Sequence, residues 1–263
     1  MLRPDPVRSS SDQYLNNIFI FTLNHDTVLE EFFVKNKIEF NDGFETVENF
    51  LSTWKPNYFL NNSKISLLKL HGSINWYRVR PYYINNKQPI IDPDTLEEIN
   101  DDSKNADPWK DEFICKAKYL INNHIGKNIN ELYTDKYYRR FDIIEKRPKV
   151  LIGTINKLLK YNGDIYNDLQ FYFRKQLNES NCLIIAGYSL GDRGVNNQII
   201  DWIYKDYDKR KILIIDPNIK KLKSSYNAIS NKFDLWFKNK RIDFIEDYIQ
   251  NVSWDQIKNR LFY

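Results

Sequence analysis

The chain has 263 residues, 42% of them apolar, 15% aromatic and 28% charged, a globular composition that excludes bulk disorder and collagen-like repeats and leaves ample length for a buried core. Thirty-nine Lys and Arg against 35 Asp and Glu leave a charge of +4, too small a bias, without a dense basic block, to announce a nucleic-acid or membrane surface. Glycine is scarce, 8 in all, less than half of the roughly 7% average, so a fold built on many Gly-rich loops is poorly supplied.

The two cysteines, Cys115 and Cys182, belong to no CxxC pair, which signals neither a structural zinc site nor a disulfide framework. Residues 1–11 lack the apolar core of a signal peptide, and no window approaches the roughly 18 apolar residues of a membrane span. The expectation is a reduced, cytoplasmic protein with no membrane partner.

In chain order, residues 18–23, Ile-Phe-Ile-Phe-Thr-Leu, read as a strand buried on both faces. Asn24-His25-Asp26-Thr27 follows, and from Val28 the pattern turns helical, with Glu30 and Glu31 in the first turn. The same unit of apolar strand and polar cluster recurs at 65–70 before His71-Gly72-Ser73, at 149–152 before Gly153-Thr154, at 182–186 before Gly187-Tyr188-Ser189, and at 212–215 before Asp216-Pro217-Asn218. Helices are predicted over 164–178, with Ile165, Leu169, Tyr172, Phe173 and Leu177 on one face, over 194–205, with Val195, Ile199, Ile200 and Ile203, and over 218–229. Between 77 and 148 the pattern changes to a hairpin (Tyr82-Tyr83-Ile84 against Pro89-Ile90-Ile91), an acidic loop over 92–107, and helical stretches near 109–121 and 130–144. The segment 242–263 reads as a strand followed by a helix.

Alternating apolar strands and amphipathic helices predict an α/β fold, a parallel sheet covered on both faces in a three-layer domain over 17–76 and 149–263, with a small subdomain inserted at 77–148. Such sheets bind ligands at the carboxyl ends of their strands, where this chain places its His, Asn, Asp, Ser and most of its Gly.

Four clusters carry candidate chemistry. His71, between an apolar run and a glycine, suits a general base, or a ring that caps the strand end through a backbone hydrogen bond. Asn24 and Asp26 suit glycosidic chemistry at a cationic leaving group, the amide orienting a water or ribose hydroxyl and the carboxylate stabilising positive charge; the alternative is an N-cap for the helix opening near Thr27. Gly187-Tyr188-Ser189-Leu190-Gly191-Asp192-Arg193-Gly194 is a candidate phosphate loop or a tight strand-to-helix turn, and it matches neither a Walker loop nor GxGxxG. Asp216 stands where an acid accepts from a ribose diol, or where Asp-Pro starts a helix. Histidines at 25, 71 and 124 make no metal-ligand spacing, so no metal site is expected, and His25 reads as a solvent-facing residue.

Taken together, Thr22-Leu23-Asn24-His25-Asp26, Leu70-His71-Gly72-Ser73-Ile74-Asn75-Trp76, Gly187-Tyr188-Ser189-Leu190-Gly191-Asp192 and Ile215-Asp216-Pro217-Asn218 resemble the sirtuin-like superfamily, in particular its bacterial branch found in antiphage defence. The resemblance implies an NAD-binding, Rossmann-like fold and, carried over by position, assigns Asn24 to the nicotinamide ribose and a water. It assigns His71 to catalytic base and Asp26 to the nicotinamide end, with Thr22, Gly187, Ser189, Asp216 and Asn218 binding NAD. Two departures qualify it. The four-cysteine zinc module of sirtuin deacylases is absent, and Leu23 stands where deacylases place glutamine, so lysine deacylation is not the expectation. The family's first strand and Gly-Ala-Gly loop have no counterpart before residue 17, a stretch without glycine, so the expectation is either a fragment of a longer gene product or a chain that has lost half its cofactor cradle, with the sheet lacking that strand and open to cover by another copy or a partner protein. The expected function is an NAD glycohydrolase of antiphage defence, and the alternative is an inactive or partner-dependent nucleotide-binding module.

Overall fold

A computed structural model describes residues 18–48, 51–55, 64–83, 90–91, 98–99, 113–117, 139–143, 147–152, 165–225 and 227–262. The elements in order are β1 (Ile18–Thr22), α1 (Val28–Lys35), β2 (Phe44–Glu48), β3 (Leu51–Trp54), β4 (Ile65–Lys69), β5 (Trp76–Tyr83), β6 (Ile90–Ile91), β7 (Glu98–Ile99), β8 (Phe113–Ala117) and β9 (Arg139–Ile143). They continue with α2 (Ile165–Glu179), β10 (Cys182–Ala186), α3 (Arg193–Lys205), β11 (Lys211–Ile215), α4 (Ile219–Ser224), a 3-10 turn (Ser230–Lys232), α5 (Phe233–Lys238), β12 (Ile242–Ile245), a second 3-10 turn (Ile249–Asn251) and α6 (Trp254–Phe262). The protein is a mixed α/β fold with two parallel sheets, and its chain divides into two compact units, Met1–Gly153 with Lys160–Leu169, and Thr154–Leu159 with Gln170–Tyr263.

In the first unit β1 and β4 pair in parallel, Ile18 opposite Ile65 through Thr22 opposite Lys69. Leu67 and Leu68 of β4 and Leu70 just after it are buried, each stabilising the fold by about 1.5–3 kcal/mol. Asn41 extends the pairing on the far side of β4, its N–H donating to Ile65 O and its carbonyl accepting from Leu67 N. Beside this pair stands a five-stranded antiparallel sheet in the order β2-β3-β8-β5-β9. Its core is aromatic: Phe44 lies 5.0 Å from Trp76 and 5.4 Å from Trp54 between ring centroids, and Trp54 Nε1 donates to Asp168 Oδ2 at 2.9 Å.

That sheet corrects several expectations. The helices predicted near 109–121 and 130–144 contain strands instead, β8 and β9, because both segments lie against β5, which pairs Tyr77 with Cys115 and Tyr82 with Arg140. A helical periodicity of Tyr, Lys and Arg loses to long-range pairing that buries Ile114 and Cys115. Residues 84–89 of the predicted hairpin lie outside the described residues; of the rest, Tyr82 and Tyr83 pair with β9, and Ile90–Ile91 pairs with Glu98–Ile99, inside the stretch read as an acidic loop. Residues 149–152 make a single antiparallel bridge, Val150 to Gly72, in place of a parallel strand. They lie against the loop after β4, with Lys149 N donating to Trp76 O, Ser73 N to Lys149 O and Leu151 N to His71 O.

In the second unit β10, β11 and β12 form a parallel sheet in that order, with Ile212, Leu213, Ile214 and Ile215 of the middle strand all buried, as an all-apolar run requires. The expected parallel strands therefore fall into two sheets, β1-β4 and β10-β11-β12. α3 turns Val195, Ile199 and Ile203 inward as its periodicity predicts, and adds Trp202. The helix predicted over 218–229 is shorter: α4 ends at Ser224, and the helical segment α5 follows, its Phe233 and Trp236 buried. α6 closes the sheet, packing Ile257 and Leu261 on Leu213 and Ile215. Among the described residues no helix is long and apolar enough to cross a membrane.

Candidate functional site

β1 and β4 run parallel, so their carboxyl ends emerge side by side and carry Thr22, Asn24, Asp26 and His71 to one edge of the first unit. Leu70 N donates to Thr22 O, closing the pairing, and the chain then turns. Asn24 N donates to Thr22 Oγ1 at 3.0 Å, and Asp26 Oδ1 accepts from Val28 N at 3.2 Å. Asp26 thus meets the first N–H of α1 from one position ahead of the N-cap, Thr27, which makes no side-chain cap hydrogen bond, and its exposed side chain faces solvent, as does that of Asn24. His71 lies deeper, 3% exposed, and Ser73 is fully buried.

The two strand ends are clamped together. His25 O accepts from Ser73 Oγ at 3.2 Å and from Ile74 N at 2.9 Å, and the His25 and His71 rings lie 6.1 Å apart between centroids. His25 is half-buried in this arrangement, in place of the solvent-facing position expected of it. Gly72 is required on two counts: φ is +80°, and a Cβ there would lie 2.0 Å from Lys149 O.

Beneath the turn lies a pair that the sequence reading passed over. Lys69, 2% exposed, interrupts the apolar run of β4 and pairs with Glu30 of α1 at 2.9 Å; its ammonium also donates to the main-chain oxygen of Asp26. The available signal was a lysine in an otherwise apolar strand, which must find a partner if buried.

The second unit presents its own carboxyl edge. Gly187 N donates to Ile215 O at 3.3 Å and Asp216 N to Ile245 O at 3.1 Å, so the ends of β10, β11 and β12 are laced in order. Gly187 sits at φ +61°, and a Cβ there would meet nothing within 4 Å. Its backbone faces open space, the room a close-approaching ligand needs. Ser189 is exposed beside it.

The loop itself is knotted from below. The Tyr188 hydroxyl donates to Asn196 Oδ1 at 2.9 Å and accepts from Asp192 N at 3.0 Å, while Asn196 Nδ2 donates to Leu190 O at 2.7 Å. Burial pushes the Tyr188 hydroxyl well above the usual phenol range. Asp192 caps α3, accepting from Val195 N at 3.0 Å. Asp216 Oδ1 accepts from Asn218 N at 2.8 Å, and Asn218 Oδ1 from Lys221 N at 2.9 Å, the helix-starting roles that were the alternative for this pair. A cleft of about 260 Å³ lined by Phe244, Ile245, Glu246, Gln256, Asn259 and Arg260 flanks the end of β12. The sequence reading did not single out any of its residues.

The structure thus brings Thr22, Asn24, Asp26 and His71 together on the first unit, and Gly187, Ser189, Asp216 and Asn218 on the carboxyl edge of the second. No protein-family model matches the chain, and no curated protein matches it.

Proposed function

We propose that the protein is a sirtuin-like NAD glycohydrolase that cleaves the bond between nicotinamide and ribose, depleting NAD in antiphage defence. The observation that carries this reading is the juxtaposition of Asn24 and Asp26 with His71 at the ends of two adjacent parallel strands, clamped through His25 O. Cleavage passes through an oxocarbenium-like state with a departing nicotinamide. The exposed Asn24 amide suits holding a ribose hydroxyl and an incoming water. The Asp26 carboxylate stabilises the developing positive charge, and His71, shielded from bulk water, accepts the proton of the attacking water. Taken by itself, the second unit offers the open backbone at Gly187 and the exposed Ser189, which suit phosphate oxygens, and Asp216 and Asn218, which suit a ribose diol.

The experiment is release of nicotinamide from NAD by the purified chain, measured beside Asn24→Ala and His71→Ala. Wild-type turnover that falls at least a hundredfold in both variants supports the reading; equal rates in all three overturn it.

A second reading has its own observation: His71 is almost wholly buried, and Asp26, Asp216 and Asn218 each spend an oxygen on a local backbone N–H. A module that binds a nucleotide without cleaving it, alone or with a partner subunit, fits these contacts. Calorimetry with NAD and with ADP-ribose separates the two, since binding without nicotinamide release selects the second.

A further inference from the structure

A lysine with 2% of its surface exposed is costly to keep, because an ammonium leaves water only when its charge and its donors are met. Here both are met, and by different elements. Glu30 Oε1, on α1, lies 2.9 Å from Lys69 Nζ and neutralises it, its own side chain 9% exposed. Asp26 O, in the turn that follows β1, takes a second ammonium proton. One group at the end of β4 therefore ties together the strand, the helix and the turn carrying Asn24 and Asp26.

Buried ion pairs of this kind contribute little net stability relative to apolar residues of the same volume. A positional role accounts for the pair better than a stabilising one. Within the turn Asn24 N rests on Thr22 Oγ1 and Val28 N on Asp26 Oδ1, both contacts between near neighbours in the chain. Its long-range ties include the clamp on His25 O, the contact of the His25 and His71 rings and the ammonium on Asp26 O.

We propose that Lys69, neutralised by Glu30, is a positioning residue that fixes the main chain at Asp26 and so sets the direction of the Asn24 and Asp26 side chains at the reacting bond. This rests on the reading that those two residues carry the glycosidic chemistry. Lys69 touches no reacting atom in this scheme. A loose turn still lets substrate bind, but the amide and carboxylate sample directions that do not match the transition state, so the loss falls on kcat and spares KM.

The test is the double substitution Lys69→Met with Glu30→Leu, which removes both charges at near-constant volume and leaves no unpaired ion. Three quantities are read: melting temperature, kcat and KM for nicotinamide release, and amide hydrogen exchange at Asn24 and Val28. The expected result is a melting temperature close to wild type, kcat lower by at least tenfold with KM within about threefold, and exchange at the two amides faster by at least tenfold. Unchanged exchange in a folded double variant overturns the proposal, whatever the activity. If wild type itself releases no nicotinamide, the glycohydrolase reading falls while exchange alone still decides the role of Lys69. Should the double variant not fold, native-state exchange of wild type against denaturant replaces it: Asn24 and Val28 amides that open only with global unfolding support the pin, and amides that open by local fluctuation sink it.

Discussion

The rings of His25 and His71 stand 6.1 Å apart, centroid to centroid, and tilt 33° to one another. Beside them, His25 O takes hydrogen bonds from Ser73 Oγ and Ile74 N, which tie the turn after β1 to the turn after β4. Ser73→Ala removes one of the two donors from a fully buried position, yet His25 O keeps its bond from Ile74 N and is not orphaned. The expected cost is about 1 kcal/mol, read as a lower urea midpoint at unchanged m-value. A loss beyond about 3 kcal/mol would mean the hydroxyl does more than this single bond.

Two glycines share a backbone region and differ in what surrounds them. Gly72→Ala puts a Cβ 2.0 Å from Lys149 O at φ +80°, so overpacking adds to the left-handed penalty, for a total of about 3 kcal/mol or more. Gly187→Ala meets no atom within 4 Å and carries only the strain of φ +61°, about 1 kcal/mol. Denaturant melts of the two variants check the contrast; similar losses in both would show that the close approach of residues 72 and 149 is relaxed in solution.

Asp192 caps α3 through Val195 N and sits in the Tyr188 knot. Asp192→Ala is expected to cost about 1–2 kcal/mol, whereas Asp192→Asn, which keeps a capping oxygen, costs a fraction of that. Equal losses in a thermal melt would count against the cap as the cause.

Burial pushes the Cys115 thiol up from 9.0 to about 12. In the unfolded chain the thiol ionises near its ordinary value, so the native state binds more protons than the unfolded state between these limits. Stability is therefore fully present below about pH 9 and declines as pH rises towards about 12. The urea midpoint of wild type should fall more steeply from pH 8.5 to 10.5 than that of Cys115→Ala, a control needed because the Tyr77 phenol is also raised by burial. Native Cys115 should resist a thiol reagent at pH 8 and react once unfolded.

Much of the parallel scaffold was legible in the sequence because its cause is local. Residues 182–186 and 212–215 are unbroken apolar runs, which declares both as strands, although only the second is buried along its length and Ile184 of the first is 39% exposed. β8 and β9 were not legible, since Phe113–Ala117 is a strand only by virtue of β3 and β5, partners that start 62 and 37 residues earlier in the chain. β3 was missed for the same reason, since it pairs with β8 as well as with its near neighbour β2. At the candidate site, the placement of Asn24, Asp26 and His71 at strand ends followed from chain order, while the pairing of Lys69 depends on how α1 packs, which no local pattern reports. The capping role of Asn218 was foreseeable from residue type alone.

Leu190 has φ +57°, rare for a side chain with a Cβ, and is 1% exposed. It works as a peg: the exposed loop from Gly187 to Gly191 cannot flap without withdrawing an isobutyl group from the core and breaking the Asn196 bond to its carbonyl. Whatever that loop grips meets a surface already in shape. The disorder such a loop would otherwise forfeit on association is lost during folding, so an incoming anion need only fit, and a poor fit cannot be rescued by the loop remoulding itself.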